Sequence, residues 1–314
     1  MRILITGGLG FIGSYFAERL SDGKSNSVVI LDNLTGHAQE ARDILGDRDN
    51  IQIIEADVSK DDITPYFKDI ELVYHFAANS KISEGVNNPA IDFEVTALGT
   101  HKVLSAMHQN DVERIIFTSG SGVYGDQNDM HLKENFGPLL PVSYYGASKL
   151  AAEAYISAFV GMNDMKASIF RFANVVGLRQ THGVAFDFFY KLKNDPSSLY
   201  VLGNGLQSKS YIDVADIFSA VELVREEQTS NIDVFNVATE DYITVREIAG
   251  ITISTMELEN VKVTYEDQSA GWVGDVPIIR FDTGKLRSLG WKNELNSSQA
   301  IERAVLGLIK NDNN

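Results

Sequence analysis

Met1-Arg2-Ile3-Leu4-Ile5-Thr6-Gly7-Gly8-Leu9-Gly10-Phe11-Ile12-Gly13 opens the chain, and its reading decides the fold. Ile3, Leu4 and Ile5 make a short β-prone run that stops at glycines, and a helix is expected to open behind them. Gly7, Gly10 and Gly13 follow a G-x-x-G-x-x-G spacing, slightly different from the G-x-G-x-x-G dinucleotide fingerprint. The physics is shared. Glycines let the backbone turn tightly against a pyrophosphate, and the helix N-terminus offers free N–H groups and a positive dipole end. A plain glycine turn is the competing reading.

Outward from this stretch, β-rich runs recur at residues 27–32, 51–57, 72–77, 114–118 and 166–172, separated by helical stretches. Val28-Val29-Ile30-Leu31 and Ile115-Ile116-Phe117 are continuous rather than alternating, as in strands covered on both faces. The pattern predicts an α/β fold, a doubly wound (Rossmann) parallel sheet, with a smaller mixed α/β C-terminal substrate domain. The division is placed at 1–174 and 175–314, with segments around 209–238 returning to the first domain. In the second part, helices are expected at 184–194 and 216–227, and strands at 200–202, 210–214 and 234–238.

Long helices are expected at 92–110 and 145–162. The second is apolar or small almost all round, so it is either wholly internal or packed on a partner subunit by its outer face. A homodimer is therefore a hypothesis at this point. Residues 310–314 form a polar tail expected to fray.

Asp32 ends the second run. A carboxylate there accepts hydrogen bonds from a ribose 2′-OH and repels a 2′-phosphate, which predicts NAD over NADP. Asp57, after the third run, is placed to contact adenine, with a turn-forming role as competitor.

Composition bounds the function. The 314 residues contain 27 Lys plus Arg against 43 Asp plus Glu, a formal charge of −16. Such a surface repels nucleic acid and anionic membrane. With no cysteine, thiolate metal sites and cysteine nucleophiles are excluded, and the six His lack ligand spacing, so no metal is expected. No apolar run reaches the ~18 residues of a membrane span. The N-terminal run is too short for a signal peptide, which predicts a cytoplasmic protein.

Tyr145-Gly146-Ala147-Ser148-Lys149 sets a phenol and an ammonium four residues apart at a helix start, on one face. They follow a run ending in Thr118-Ser119-Gly120-Ser121-Gly122-Val123-Tyr124-Gly125, the end of a parallel strand where ligands bind. The ammonium favours phenolate and brings Tyr145 toward a working general base.

These markers, with His75-Phe76-Ala77-Ala78, Gly99-Thr100, Arg171-Phe172-Ala173-Asn174, Gly203-Asn204-Gly205 and Gly290-Trp291, run through nearly the whole chain. The chain resembles the extended short-chain dehydrogenase/reductases, in particular nucleotide-sugar epimerases of the UDP-glucose 4-epimerase type. The resemblance implies that Tyr145 takes the sugar 4-OH proton while C4 gives hydride to NAD. Lys149 binds the nicotinamide ribose, and hydride returns to the other face of a rotated 4-keto sugar. It places the cofactor on Gly7, Gly10, Phe11, Ile12, Gly13, Asp32, Asn33, Asp57, Val58, Phe76, Ala77, Ala78, Thr118, Tyr145 and Lys149.

The substrate, a UDP-hexose, falls by the same resemblance to Lys81, Ser121, Asn174, Arg179, Gly183, Val184, Tyr200, Leu202, Lys209 and Arg280. Ordinary loop, edge-strand and surface roles compete for several of these. Family 4,6-dehydratases carry Asp-Glu where this chain has Ser121-Gly122, and UDP-glucuronate decarboxylases carry Glu at the position of Gly122. The resemblance therefore favours an isomerase, an epimerase of UDP-glucose and UDP-galactose. The alternatives are an epimerase or dehydrogenase of a UDP-uronate or UDP-N-acetylhexosamine, or a non-catalytic NAD-binding regulator.

Four departures stand out. The family's catalytic Ser/Thr is Gly120, so Ser119 or Ser121, preferably Ser121, would supply the hydroxyl. Its Asn before Gly-Thr is Thr96, and a diphosphate Arg is Lys209. A second Arg is missing from Ala270-Gly271-Trp272, and Lys cannot reproduce the bidentate phosphate contacts of Arg.

Overall fold

The computed structural model describes residues 1–35, 38–79 and 84–312. Five strands, β1 (Arg2–Thr6), β2 (Ser27–Asp32), β3 (Ile51–Glu55), β4 (Leu72–His75) and β5 (Arg114–Gly120), form the frame. With strands Lys166–Phe172 and Ile232–Val237 they make one seven-stranded sheet. Its order is Ile232–Val237, Lys166–Phe172, β5, β4, β1, β2, β3. The pairs β1–β2, β2–β3, β1–β4 and β4–β5 are parallel, with Ile3 opposite both Val28 and Leu72. Strand order reverses between β1 and β4, so the loops after both leave the same sheet end and open a crevice there.

The continuous runs behave as two-sided strands must. Ile3, Leu4, Ile5, Val28, Ile30 and Leu31 are fully enclosed. Helices α1 (Phe11–Ser21), α2 (Ala38–Leu45), α3 (Glu84–Asn87), α4 (Pro89–Asp92), α5 (Gly99–Gln109) and α6 (Tyr144–Met162) accompany the sheet. A core of Leu4, Val73, Val103, Met107, Phe117 and Ile156 lies between sheet and helices.

The expected helix over 92–110 is broken. α4 runs into a π-turn, Phe93–Leu98, before α5 begins. The wide turn aligns with two side-chain bonds: Thr100 Oγ1 donates to the Thr96 carbonyl at 2.6 Å and meets His75 Nε2 at 2.9 Å. α6 is not wholly internal. Ala147, Ala154, Tyr155, Ala158 and Met162 are exposed, while Ala152, Glu153, Ile156 and Val160 are buried on the opposite face.

The chain divides into two compact units. The first comprises Met1–Gly120, Tyr144–Phe170 and Arg225–Val234, and the second Ser121–Ser143, Arg171–Val224 and Phe235–Asn314. In this partition residues 121–143 group with the second unit and residues 225–234 with the first. The second unit, expected to be the smaller, takes in as many residues as the first.

Helices Val184–Asn194, Val245–Thr255 and Ser297–Asp312 build the second unit around Phe188, Leu192, Leu199, Val201, Ile248, Ile301 and Val305. The last helix carries the polar tail in order to Asp312. Thr244 and Glu247 form a reciprocal capping box at the start of Val245–Thr255. Ser198–Val201 pairs in parallel with Lys262–Tyr265 in a two-stranded sheet, so the expected strand is present and is an edge strand.

Candidate active site

The glycine loop is shaped by contacts that exclude side chains. Gly7 has φ +65°, and a Cβ on it would lie 2.8 Å from the Ala77 nitrogen. A Cβ on Gly13 would run into the Gly7 carbonyl, and that carbonyl also accepts the Gly10 N–H at 3.1 Å. A Cβ on Gly10 would meet only that oxygen, so the loop is open on its outer side. Gly10 is the N-cap of α1 and supplies no side-chain cap. The cradle fits a dinucleotide diphosphate, because backbone N–H donors are left for an anion to satisfy.

Asp32 is buried, and both carboxylate oxygens are fixed: Oδ2 accepts the Leu9 N–H at 2.9 Å and Oδ1 the Leu34 N–H at 2.9 Å. Burial pushes its pKa up against these two bonds. The acid thereby ties the glycine loop to β2 and keeps lone pairs for a ribose hydroxyl. Asn33 Nδ2 donates to Asp57 Oδ2 at 3.2 Å. Asp57 also accepts from the Ser59 N–H and hydroxyl, at 2.9 and 2.6 Å, which with Asn33 and Lys60 hold it down to about 2. These bonds are the turn-forming role that competed with adenine contact. Phe11 and Val58 are buried, and Ile12, Ala77 and Ala78 are half-buried. The half-buried Phe76 ring packs edge-on against Phe16 at 4.9 Å.

A polar rail runs behind this loop. His75 is enclosed between Thr6 Oγ1, 2.6 Å from Nδ1, and Thr100 Oγ1, 2.9 Å from Nε2. Because the Thr100 hydroxyl proton is given to the Thr96 carbonyl, Nε2 carries the imidazole hydrogen and Nδ1 accepts from Thr6. Thr6 Oγ1 in turn accepts the Ala77 N–H at 3.3 Å. Burial and the nearby Lys149 push His75 down to about 3, so it is neutral and positions rather than transfers protons.

Tyr145 and Lys149 lie on one face of α6. Lys149 is 2% exposed, and its Nζ donates to the Thr118 carbonyl at 2.6 Å. Nζ also sits 4.9 Å from the Phe117 ring centre and 5.8 Å from that of Tyr145. Burial pulls Lys149 down to about 7, opposed by Glu153. Burial, with the Asp92 charge, pushes the Tyr145 phenol up to about 12. The expected lowering of this phenol by the ammonium is thus not what the protein residues alone produce.

Ser119 Oγ on β5 is buried and has no hydrogen-bond partner among the described residues. Ser121 opens the one-turn helix Ser121–Tyr124. Lys81 lies outside the described residues.

In the second unit, several candidates already have partners. Lys209 is paired with Asp275 at 2.6 Å. Arg280 meets Asp129 at 2.9 Å, donates to the Ser208 carbonyl at 2.8 Å and stacks 4.1 Å over the Tyr242 ring. Asn174 Nδ2 donates to the Ser210 carbonyl at 3.3 Å. Tyr200 and Leu202 are about half exposed, and the Tyr200 hydroxyl donates to Glu266 at 2.6 Å. Gly183, at φ +96°, is the N-cap of the helix that Val184 begins, and Arg179 has φ +65°.

The Val-Tyr-Gly and Arg-Phe-Ala-Asn markers have a framework role. The Tyr124 hydroxyl donates to Asn236 Oδ1 at 2.8 Å and accepts from Arg171 Nη1 at 2.9 Å. Asp275, Asp129 and Asp92 escaped the sequence reading because nothing local marks an acid whose partner is remote in the chain.

Among the described residues, no group of three His, Asp or Glu could hold a metal, and no helix is long and apolar enough to cross a membrane. Known proteins place this arrangement. A Methanocaldococcus jannaschii protein carrying a provisional UDP-glucose 4-epimerase name is 32% identical over 99% of both chains. A UDP-galactose 4-epimerase crystal structure aligns with a TM-score of 0.88 at 30% identity, over 99% of both chains. A UDP-N-acetylglucosamine 4-epimerase from Methanobrevibacter ruminantium, solved with UDP-N-acetylmuramic acid, aligns at 0.87 and 29% identity, over 99% of this chain and 98% of that one. Residues 3–238 match the NAD dependent epimerase/dehydratase family, and the chain belongs to that family.

Proposed function

We propose that this protein is a UDP-hexose 4-epimerase, interconverting UDP-glucose and UDP-galactose with tightly held NAD. The observation that carries the reading is the Tyr145–Lys149 face of α6, set against a β5 end whose following residues, Ser121 and Gly122, bring no carboxyl group. Dehydration and decarboxylation need further acid–base groups, whereas epimerisation needs one base that gives its proton back. Bound NAD supplies a reversible hydride acceptor for C4 of the sugar.

The glycine loop and α1 would hold the NAD diphosphate, Asp32 the adenosine ribose, and Ala77, Ala78 and Thr118 the walls. Tyr145 takes the 4-OH proton and returns it after the sugar has turned. Lys149, its ammonium 5.8 Å from the Tyr145 ring centre, is assigned to oppose the rise that burial imposes on the phenol. Ser121 is assigned to orient the 4-OH in place of the residue absent at Gly120.

The second unit would recognise the nucleotide and diphosphate through Lys209, Arg280, Arg179, Asn174, Gly183, Val184, Tyr200 and Leu202. The exposed apolar stripe Ala147, Ala154, Tyr155, Ala158 and Met162 supports a homodimer through α6. The test of the activity is turnover of UDP-glucose without added NAD, read by the anomeric proton of the product.

A further inference from the structure

Among the described residues, Asp92 is a buried titratable group with no part in the proton transfer above. Asp92 closes α4 directly ahead of the π-turn, and both pack against α6, which carries Tyr145. π-Turns of this kind are frequent at functional sites. The Asp92 side chain is 1% exposed. Oδ1 accepts from Asn79 Nδ2 at 3.0 Å, while Oδ2 has no hydrogen-bond partner among the described residues. Oδ2 has room only because residue 85 is glycine; a Cβ there would run into it.

Such a carboxyl loses hydration it does not replace, so burial raises its pKa against the single Asn79 bond. Titratable side chains on the elements packed there are Glu84 on α3, Glu94 in the π-turn, His101, Lys102 and His108 on α5, and Tyr144, Tyr145, Lys149, Glu153 and Tyr155 on α6. Of these, Tyr145 feels the Asp92 charge, which adds to burial in raising the phenol. Lys149 instead feels Glu153.

We propose that Asp92 is a positioning residue: its carboxylate, held at the end of α4 against α6, sets the pH range in which Tyr145 gives up its proton. This deepens the epimerase reading and rests on Tyr145 as its base. The sign is fixed by Coulomb's law. An anion beside the phenol disfavours phenolate, so removing that charge eases ionisation of Tyr145. Asp92 and Lys149 therefore act on the phenol with opposite sign.

The test compares wild-type and Asp92→Asn holoenzyme in two readouts. One is the pH dependence of kcat. The other is the ultraviolet absorbance of tyrosinate, with matching Tyr145→Phe proteins subtracted to isolate Tyr145. Asp92→Asn should move both to lower pH by about one unit. Asp92→Glu, which keeps the charge, should leave both where wild type has them. Should Asp92→Asn fail to fold, Asp92→Ser removes the same charge in a smaller side chain. Superimposable curves for wild type and the neutral variants in both readouts would overturn the proposal. A shifted absorbance titration with an unshifted rate profile would uphold the coupling and remove Tyr145 from the role of base.

Discussion

The Lys149 ammonium donates to the Thr118 carbonyl at 2.6 Å, which ties the helix bearing Tyr145 to the end of β5. That bond fixes where the charge sits, and its enclosure makes the charge costly to hold. Burial holds Lys149 down to about 7 in the folded protein, against 10.5 for a free lysine. The native state thus binds fewer protons than the unfolded chain between these pH values, and stability rises with pH across that window. Lys149→Met should abolish turnover yet raise the apoprotein Tm by about 2 °C or more near pH 6. The gain over wild type should fade as pH climbs from 7 to 10.5. A pH-independent difference in thermal melts contradicts the assignment of a buried cation.

Tyr145→Phe removes only the hydroxyl. It should lower kcat by about 10²–10⁴-fold, the range of a lost general base, while NAD remains bound after purification. Steady-state kinetics with cofactor quantified on the same sample check both halves. Full activity would show that the base is elsewhere.

Asp32 accepts from the Leu9 and Leu34 N–H groups and is the residue proposed to take the adenosine ribose. NAD should bind at least about tenfold tighter than NADP, the equivalent of ~1.4 kcal/mol. Asp32→Ala should narrow that gap and cost about 1–3 kcal/mol of stability, since the buried Leu9 donor loses its acceptor. Calorimetric titration of apoprotein tests the first, and urea unfolding the second.

Lys209 and Asp275 form a close, largely buried pair. If Lys209 serves the diphosphate, Lys209→Met should raise KM for the UDP-sugar by about tenfold, with kcat less affected. Asp275→Asn should lower KM, because it removes an anion that competes for the same ammonium. KM moving the same way in both variants would argue for a framework role alone.

The exposed face of α6 makes a separate claim. Ala154→Glu places a charge at the centre of an apolar stripe, and should halve the mass seen by light scattering while leaving circular dichroism unchanged. A wild-type protein of monomeric mass at micromolar concentration removes the dimer.

Much of the sheet was legible because its signal is local. Val28 to Leu31 and Ile115 to Phe117 are apolar without alternation, and both are buried. The glycine loop was legible for the same reason, as three glycines and the strand before them lie within one short stretch. The π-turn at Phe93–Leu98 was not: one extra residue per turn barely disturbs helical periodicity over six residues. Lys209 and Arg280 were legible as cations, but their partners Asp275 and Asp129 were not, since pairing over 66 and 151 positions is a property of the fold. Asp92 reads in the sequence as an acid in the first turns of a helix, a favourable surface role; only packing reveals that it is enclosed.

The most direct test of the account is to incubate the purified protein with UDP-glucose, adding no NAD, and to follow the anomeric proton by NMR. The account predicts a UDP-galactose signal growing to a constant ratio, with the same ratio reached from UDP-galactose. A protein that retains NAD yet leaves UDP-glucose unchanged, or converts it to a 4-keto-6-deoxy sugar, would contradict it.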